Sequence, residues 1–333
     1  MMSKTKKNKK PNKKSARIIL TIFLFLFVLF ILLRVAEIKN LIKIISNSNP
    51  FWLLLALFFQ YLSFLFASLS MHEMFLDMNV KVRVWFLTKL NIAATFVDAV
   101  LPSQGISAGF FMFKALAKQN LEQGKRAIHL IFSFTINYAV FIILFAVSIF
   151  YFYLNFKSIG ITIGLSLFLF IIVAFFLLFL FIFFVSQDLA VRIINRLPLK
   201  LINKFIKNFD ERSKNILIGF YKERKKYKFD FYRYGLLMFL SYVCKLLAFF
   251  LAILSLNYNL SFDKVIISFV FSSILSIISY VKLGFFELGL VLSLLALGIE
   301  YNLALATALV FRLISFWIPF VFGYVFFRKI IKE

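Results

Sequence analysis

An all-α membrane protein crossing the bilayer several times is the fold class this sequence predicts, and three observations carry the prediction. Of 333 residues, 62% are hydrophobic and only 16% charged, whereas about a quarter of the residues in a soluble globular domain are charged. Six apolar runs reach the ~20 residues that a helix needs to span the hydrocarbon. Two further apolar regions are broken near their centres by short polar turns, so the order span, span, broken hairpin, span occurs twice.

Residues 1–16 form a basic tail. The apolar run Arg17–Leu33 follows it, and a lysine-rich start before such a run resembles a signal peptide. Arg34 and Glu37 come next without a small-residue cleavage site, so the run reads as a retained first helix. Phe51–Ser70 is the second span, Trp85–Ala117 the first broken region and Ala127–Tyr153 the third span. Residues 17–153 thus make a first membrane repeat. The second, residues 159–185 and 232–327, repeats the order with Ile159–Val185, Tyr232–Leu256, the broken region Phe262–Ile299 and Asn302–Phe327. Between its two parts lies a basic segment, 186–231. There Leu189, Ile193, Ile194, Leu197, Leu201, Phe205 and Ile206 recur at helical spacing, which predicts amphipathic helices on the membrane surface. Residues 328–333 are a short tail.

The charge, 39 Lys and Arg against 14 Asp and Glu for a net +25, would suggest nucleic acid in a soluble protein. In a membrane protein it reports orientation, because cytoplasmic loops collect Lys and Arg. With the N-terminus inside and both broken regions returning to the side they left, 30 of the 39 basic residues fall on the cytoplasmic side. Arg34, Lys39, Lys43, Lys157 and Lys264 fall outside. Arg233, Lys245, Lys282 and Arg312 remain within or at the edge of membrane segments. Both termini and the 186–231 loop are therefore expected in the cytoplasm, and the location is the cell membrane. Nucleic acid is excluded as a partner. Charge does not separate a re-entrant hairpin from two short crossings.

The first half starts inside and the second outside, so the two are related by inversion. Inverted repeats with interrupted helices are a transporter pattern, because each break frees backbone groups for a ligand. The first break combines Asp98, Pro102, Ser103, Gln104, Gly105 and Gly109, with Ser107 between the glycines. Pro102 removes a backbone donor and the glycines permit unusual torsions. The second break holds Lys282, Gly284 and Glu287. A weak sequence echo, Gly-Phe-Phe at 109–111 and at 284–286, follows the two breaks. Lys245 and Arg312 lie mid-way along later spans, where an ionisable side chain costs about 2.5–3.5 kcal/mol on insertion scales and points to function. Two readings stay open. Glu287 with Arg312 or Lys282 can be a structural ion pair; alternatively Arg312 and Lys245 hold a lipid phosphate while Asp98 and Glu287 attract a cationic headgroup. His129, and His72 with Glu73 and Asp77, read as interfacial hydrogen-bonding groups.

At these two breaks the chain resembles the lysylphosphatidylglycerol synthase transmembrane-region family, and through it the flippase part of the bacterial multiple peptide resistance factor. Leu101–Gly109 followed by Lys118–Gly124 carries the first motif. Gly284, Glu287, Gly298, Arg312, Pro319 and Gly323 carry the second, over a resemblance running from about Ile18 to Phe327. The chain departs from the pattern at Ser276–Ser279 and at Val281 and Lys282, where relatives have a Pro and paired glycines. The resemblance implies movement of aminoacylated phosphatidylglycerol between leaflets. The transfer chemistry in the family's name belongs to a separate soluble domain with no counterpart here.

One cysteine and two histidines exclude an intramolecular disulfide and a multi-Cys or histidine-built metal centre. No phosphate loop, nucleophile elbow or zinc-protease motif occurs, and no cofactor is expected. The expected function is a lipid flippase moving an aminoacylated phospholipid or a polyprenyl-phosphate lipid, its path built from the residues named at the two breaks with Lys245 and Arg312. The alternatives are a membrane subunit of a phosphatidylglycerol lysyltransferase system and an accessory partner of a membrane glycosyltransferase. Oligomerisation is left open.

Overall fold

The computed structural model describes residues 48–101, 105–156, 159–184, 220, 224, 226–279 and 282–332. The expected span Arg17–Leu33, the tail before it and most of the 186–231 segment lie outside the described residues. What is described is helical throughout. The helices are α1 (Pro50–Asp77), α2 (Val84–Val100), α3 (Ile106–Ala117), α4 (Gln123–Phe156), α5 (Ile159–Phe184), α6 (Phe231–Ser255), α7 (Phe262–Ile278), α8 (Lys282–Ala296) and α9 (Tyr301–Lys332), with a π-helical turn at Leu313–Trp317 inside α9.

Local chemistry sets several boundaries. Pro50 occupies the first turn of α1, where its missing N–H costs nothing, and the Asn49 side chain accepts from the Phe51 N–H at 3.0 Å. The Asp230 side chain does the same for α6, accepting from the Arg233 N–H at 3.2 Å. Large apolar side chains face outward, as lipid contact requires; on α5, Phe170 is 70% and Phe175 69% exposed. The arms of the broken regions contain 17, 12, 17 and 15 residues. At the helical rise they are roughly 18–26 Å long, short of the ~30 Å hydrocarbon core.

The central contact is between α1 and α6. The Asn49 N–H donates to Ser255 O at 2.7 Å, the Ser241 hydroxyl to Ser63 O at 2.8 Å, and the Ser70 hydroxyl to Tyr234 O at 3.0 Å. Residue numbers fall on one helix as they rise on the other, in constant register, so the two helices run antiparallel. Ala56, Ala248 and Ala252 are wholly buried, and such small side chains let apolar helices approach closely where no hydrophobic force draws them together. At the far end of the pair, Asp77 and Glu73 hold Arg233 at 2.9 Å each.

Both hairpins return to the end from which they start. Lys118, just beyond α3, donates to Ile330 O and Ile331 O at 2.7 and 2.8 Å, and Lys125 reaches Met78 O at 3.4 Å. The start of α2, the end of α3 and the end of α9 therefore share one end of the bundle. The α7–α8 hairpin starts and finishes at the other, beside the Asn49–Ser255 contact. Exchanging α1 with α6, α2 with α7, α3 with α8 and α4 with α9 maps the contacts among these eight helices onto themselves. Thus α2 meets α9 as α7 meets α4, and α1 meets α4 as α6 meets α9.

Candidate functional site

Each hairpin tip is closed by the same device. Gly105 opens α3 with φ +88°, and its N–H donates to Asp98 Oδ1 at 2.7 Å. Gly284, at the start of α8, has φ +92°, and its N–H donates to Glu287 Oε2 at 3.0 Å. A left-handed residue without a side chain turns the chain at each tip, and a carboxylate takes the amide that the turn leaves over. The shared torsion matches Gly105 with Gly284. The Gly-Phe-Phe echo is therefore out of register: Gly109 lies within α3 with ordinary helical torsions.

Beside the first tip, the two halves line an open cavity of about 480 Å³ with polar groups in its wall. Asp98, Gly105 and Gly109 line one side. Asn91, Thr95, Asn137 and Tyr138 extend that wall, and Ser241, Tyr242 and Lys245 of α6 face it, with Ser273 and Ser276 of α7. The Lys245 Nζ lies 4.5 Å from the centre of the Tyr242 ring, a cation–π contact that holds the ammonium without neutralising it. The Tyr242 hydroxyl donates to Asn137 Oδ1 at 3.2 Å. Asn91 is oriented by its amide, which donates to the Ser68 hydroxyl oxygen at 2.9 Å. Among the described residues the cavity thus carries one carboxylate, one ammonium and a set of uncharged donors and acceptors. This arrangement can bind a group bearing both signs of charge.

Glu287 and Arg312 form a second cluster. Arg312 Nε lies 2.7 Å from Glu287 Oε1, and its guanidinium stacks 4.0 Å from the Phe316 ring and 5.6 Å from the Phe286 ring. Phe286 also lines the cavity, so it stands between the ion pair and the polar space. Of the expected site residues, the structure brings Asp98, Gly105, Gly109 and Lys245 to one cavity and Gly284, Glu287 and Arg312 to the second tip. Lys282 lies in the first turn of α8, and its side chain is outside what is described; Pro102, Ser103 and Gln104 are outside the described residues.

The sequence reading missed the uncharged groups. Asn91 and Asn137 carried a usable signal, since an amide inside an apolar run must find a partner. Tyr138 and Tyr242 were hidden among 13 tyrosines. The histidines need correcting. His129 is wholly buried, stacks 4.4 Å from the Phe75 ring and has no hydrogen-bond partner on either ring nitrogen among the described residues, so it is not an interfacial hydrogen-bonding group. His72 does bond, its Nδ1 lying 2.7 Å from Val82 O.

An all-helical bundle with apolar outer faces, four long apolar helices among the described residues and an internal charged cavity defines a multi-pass integral membrane protein. A family model described as "Lysylphosphatidylglycerol synthase TM region" matches residues 18–323, and the chain belongs to that family. A search of curated proteins finds no match to it.

Proposed function

We propose that the protein is a lipid flippase of the cell membrane that moves an aminoacylated phospholipid, of the lysylphosphatidylglycerol type, between leaflets. The observation that carries this reading is the presence of both Asp98 and Lys245 in the wall of one cavity between apolar helices. An aminoacylated phosphatidylglycerol presents a phosphate and free amines. Lys245 receives the phosphate, Asp98 the ammonium, and the neighbouring amides and hydroxyls replace the water the headgroup leaves behind. A polyprenyl phosphate brings no cationic group to the Asp98 side of the cavity, so the aminoacylated headgroup is the better fit. The acyl chains stay in the lipid.

The two halves act as an inverted repeat in this reading. Antiparallel α1 and α6 sit at the pseudo-two-fold axis, and the repeats rock about them so that the cavity opens to one leaflet and then the other. The termini are cytoplasmic, the side on which the basic residues accumulate.

The test is headgroup translocation in liposomes holding the purified full chain. Asp98→Asn keeps an oxygen for the Gly105 amide and removes the charge, and Lys245→Met removes the ammonium. Both variants are expected to lose movement of lysylphosphatidylglycerol at unchanged melting temperature. Wild-type rates in both would reject the proposal.

A further inference from the structure

A second cavity, about 390 Å³ and almost wholly apolar, lies between α1, α2 and α9. Its walls are single helix faces. From α9 come Ile314, Ile318, Phe322 and Phe326, one residue per turn over twelve positions, which makes a trough roughly 18 Å long. From α1 come Leu57, Gln60, Tyr61 and Phe64 at the spacing of one face. The trough runs along the helices, as an acyl chain does in a bilayer.

At the end shared by the start of α2 and the tail of α9 stand Trp85 and Lys89. Trp85 is exposed, as tryptophans at the membrane–water boundary are. The Lys89 Nζ lies 5.2 Å from the Trp85 ring, and no carboxylate among the described residues pairs with it. Part-way along, Phe64 lines both this trough and the polar cavity, a shared wall between them. One turn before it, Gln60 is 5% exposed, and its Oε1 has no hydrogen-bond partner among the described residues. A buried acceptor of this kind is costly unless a donor reaches it. A smaller cavity of about 170 Å³ where α4 meets α7 lies against α8 instead of α6, with no charged residue among the described residues of its wall.

We infer that the trough between α1, α2 and α9 is a lateral portal: it seats one acyl chain of a lipid built on phosphatidylglycerol with the phosphate at Lys89, and Phe64 and Gln60 pass the headgroup into the polar cavity. The occupant follows from complementarity, an apolar slot of chain length ending at an ammonium. Gln60 meets the headgroup at the point where it leaves lipid for the polar cavity. The role as a portal rests on the flippase reading; the seat for the chain does not.

The experiment uses the full chain in nanodiscs with phosphatidylglycerol or phosphatidylcholine carrying a photoactivatable diazirine in one acyl chain, with labelled peptides mapped by mass spectrometry. Label is expected on the 314–326 segment and around Trp85, several-fold more with phosphatidylglycerol than with phosphatidylcholine. Lys89→Gln should erase the headgroup preference, and Ile318→Trp, which fills the trough, should erase the label. Label spread evenly over outward residues such as Phe170 and Phe175, regardless of headgroup, would overturn the inference. Translocation measured on the same samples separates the two readings. A labelled trough without headgroup movement rejects the flippase and keeps the seat. Movement that persists in Ile318→Trp rejects the portal and keeps the flippase.

Discussion

Arg312 Nε stands 2.7 Å from Glu287 Oε1, and the other carboxylate oxygen of Glu287 holds the Gly284 N–H at 3.0 Å. One side chain therefore ties the second hairpin tip to α9 immediately before its π-helical turn. Both partners are largely buried, so removing either breaks a buried ion pair. Arg312→Met or Glu287→Gln is expected to cost roughly 3–5 kcal/mol, and the double variant Glu287→Gln with Arg312→Met less than the sum of the two. Unfolding in detergent, run as a double-mutant cycle, measures the coupling. Additive losses would show that the pair does not act as a unit.

The tip glycines predict a second result. A Cβ at Gly105 would approach Phe134 no closer than 3.8 Å, and one at Gly284 would meet nothing within 4 Å, so an alanine there pays only for its torsion. Gly105→Ala and Gly284→Ala should each lose about 1–2 kcal/mol, and asparagine should recover part of it. Melting temperatures of the four variants test this, and equal stability of all four would dismiss the left-handed turns.

Gly323 makes a different prediction, set by space. A Cβ there would sit 2.6 Å from Ile92 O and 2.8 Å from the Phe96 Cβ, where α9 crosses α2. Gly323→Ala must push the helices apart, at about 1–3 kcal/mol. Gly235 is the control, because it is helical and a Cβ on it would meet nothing within 4 Å. Gly235→Ala should leave stability unchanged or raise it by about 0.5–1 kcal/mol. Thermal unfolding of the two variants side by side decides the matter.

At the opposite end of the α1–α6 pair, Asp77 accepts from Arg233 Nη2 at 2.9 Å, from the Asp230 N–H at 3.2 Å and from the Tyr234 hydroxyl. Asp77→Ala strands several donors together and should cost about 1–3 kcal/mol. Among the described residues Glu73 pairs with Arg233 alone, which is 45% exposed, so Glu73→Gln should cost at most about 1 kcal/mol. Unfolding midpoints that ranked the two in the reverse order would mean that Arg233 alone, rather than the Tyr234 and Asp230 contacts, joins α1 to α6 there.

The sequence by itself determined the class of protein, the positions of the described spans, the two interruptions and the family. Each is a local property. An apolar run long enough for a bilayer declares itself, and so does a turn rich in glycine and proline that stops it. Asp98, Lys245, Glu287 and Arg312 were visible as single ionisable residues in apolar segments for the same reason. Their pairing was not visible, because hydropathy says nothing about which helix faces which. Tertiary structure decided that Arg312 is held by Glu287 while Lys245 shares a cavity with Asp98, that the hairpins return to their own ends, and that Gly105, not Gly109, is the counterpart of Gly284. Those outcomes depend on the close antiparallel approach of α1 and α6 along their small residues, which sets the separation and rotation of every helix around them.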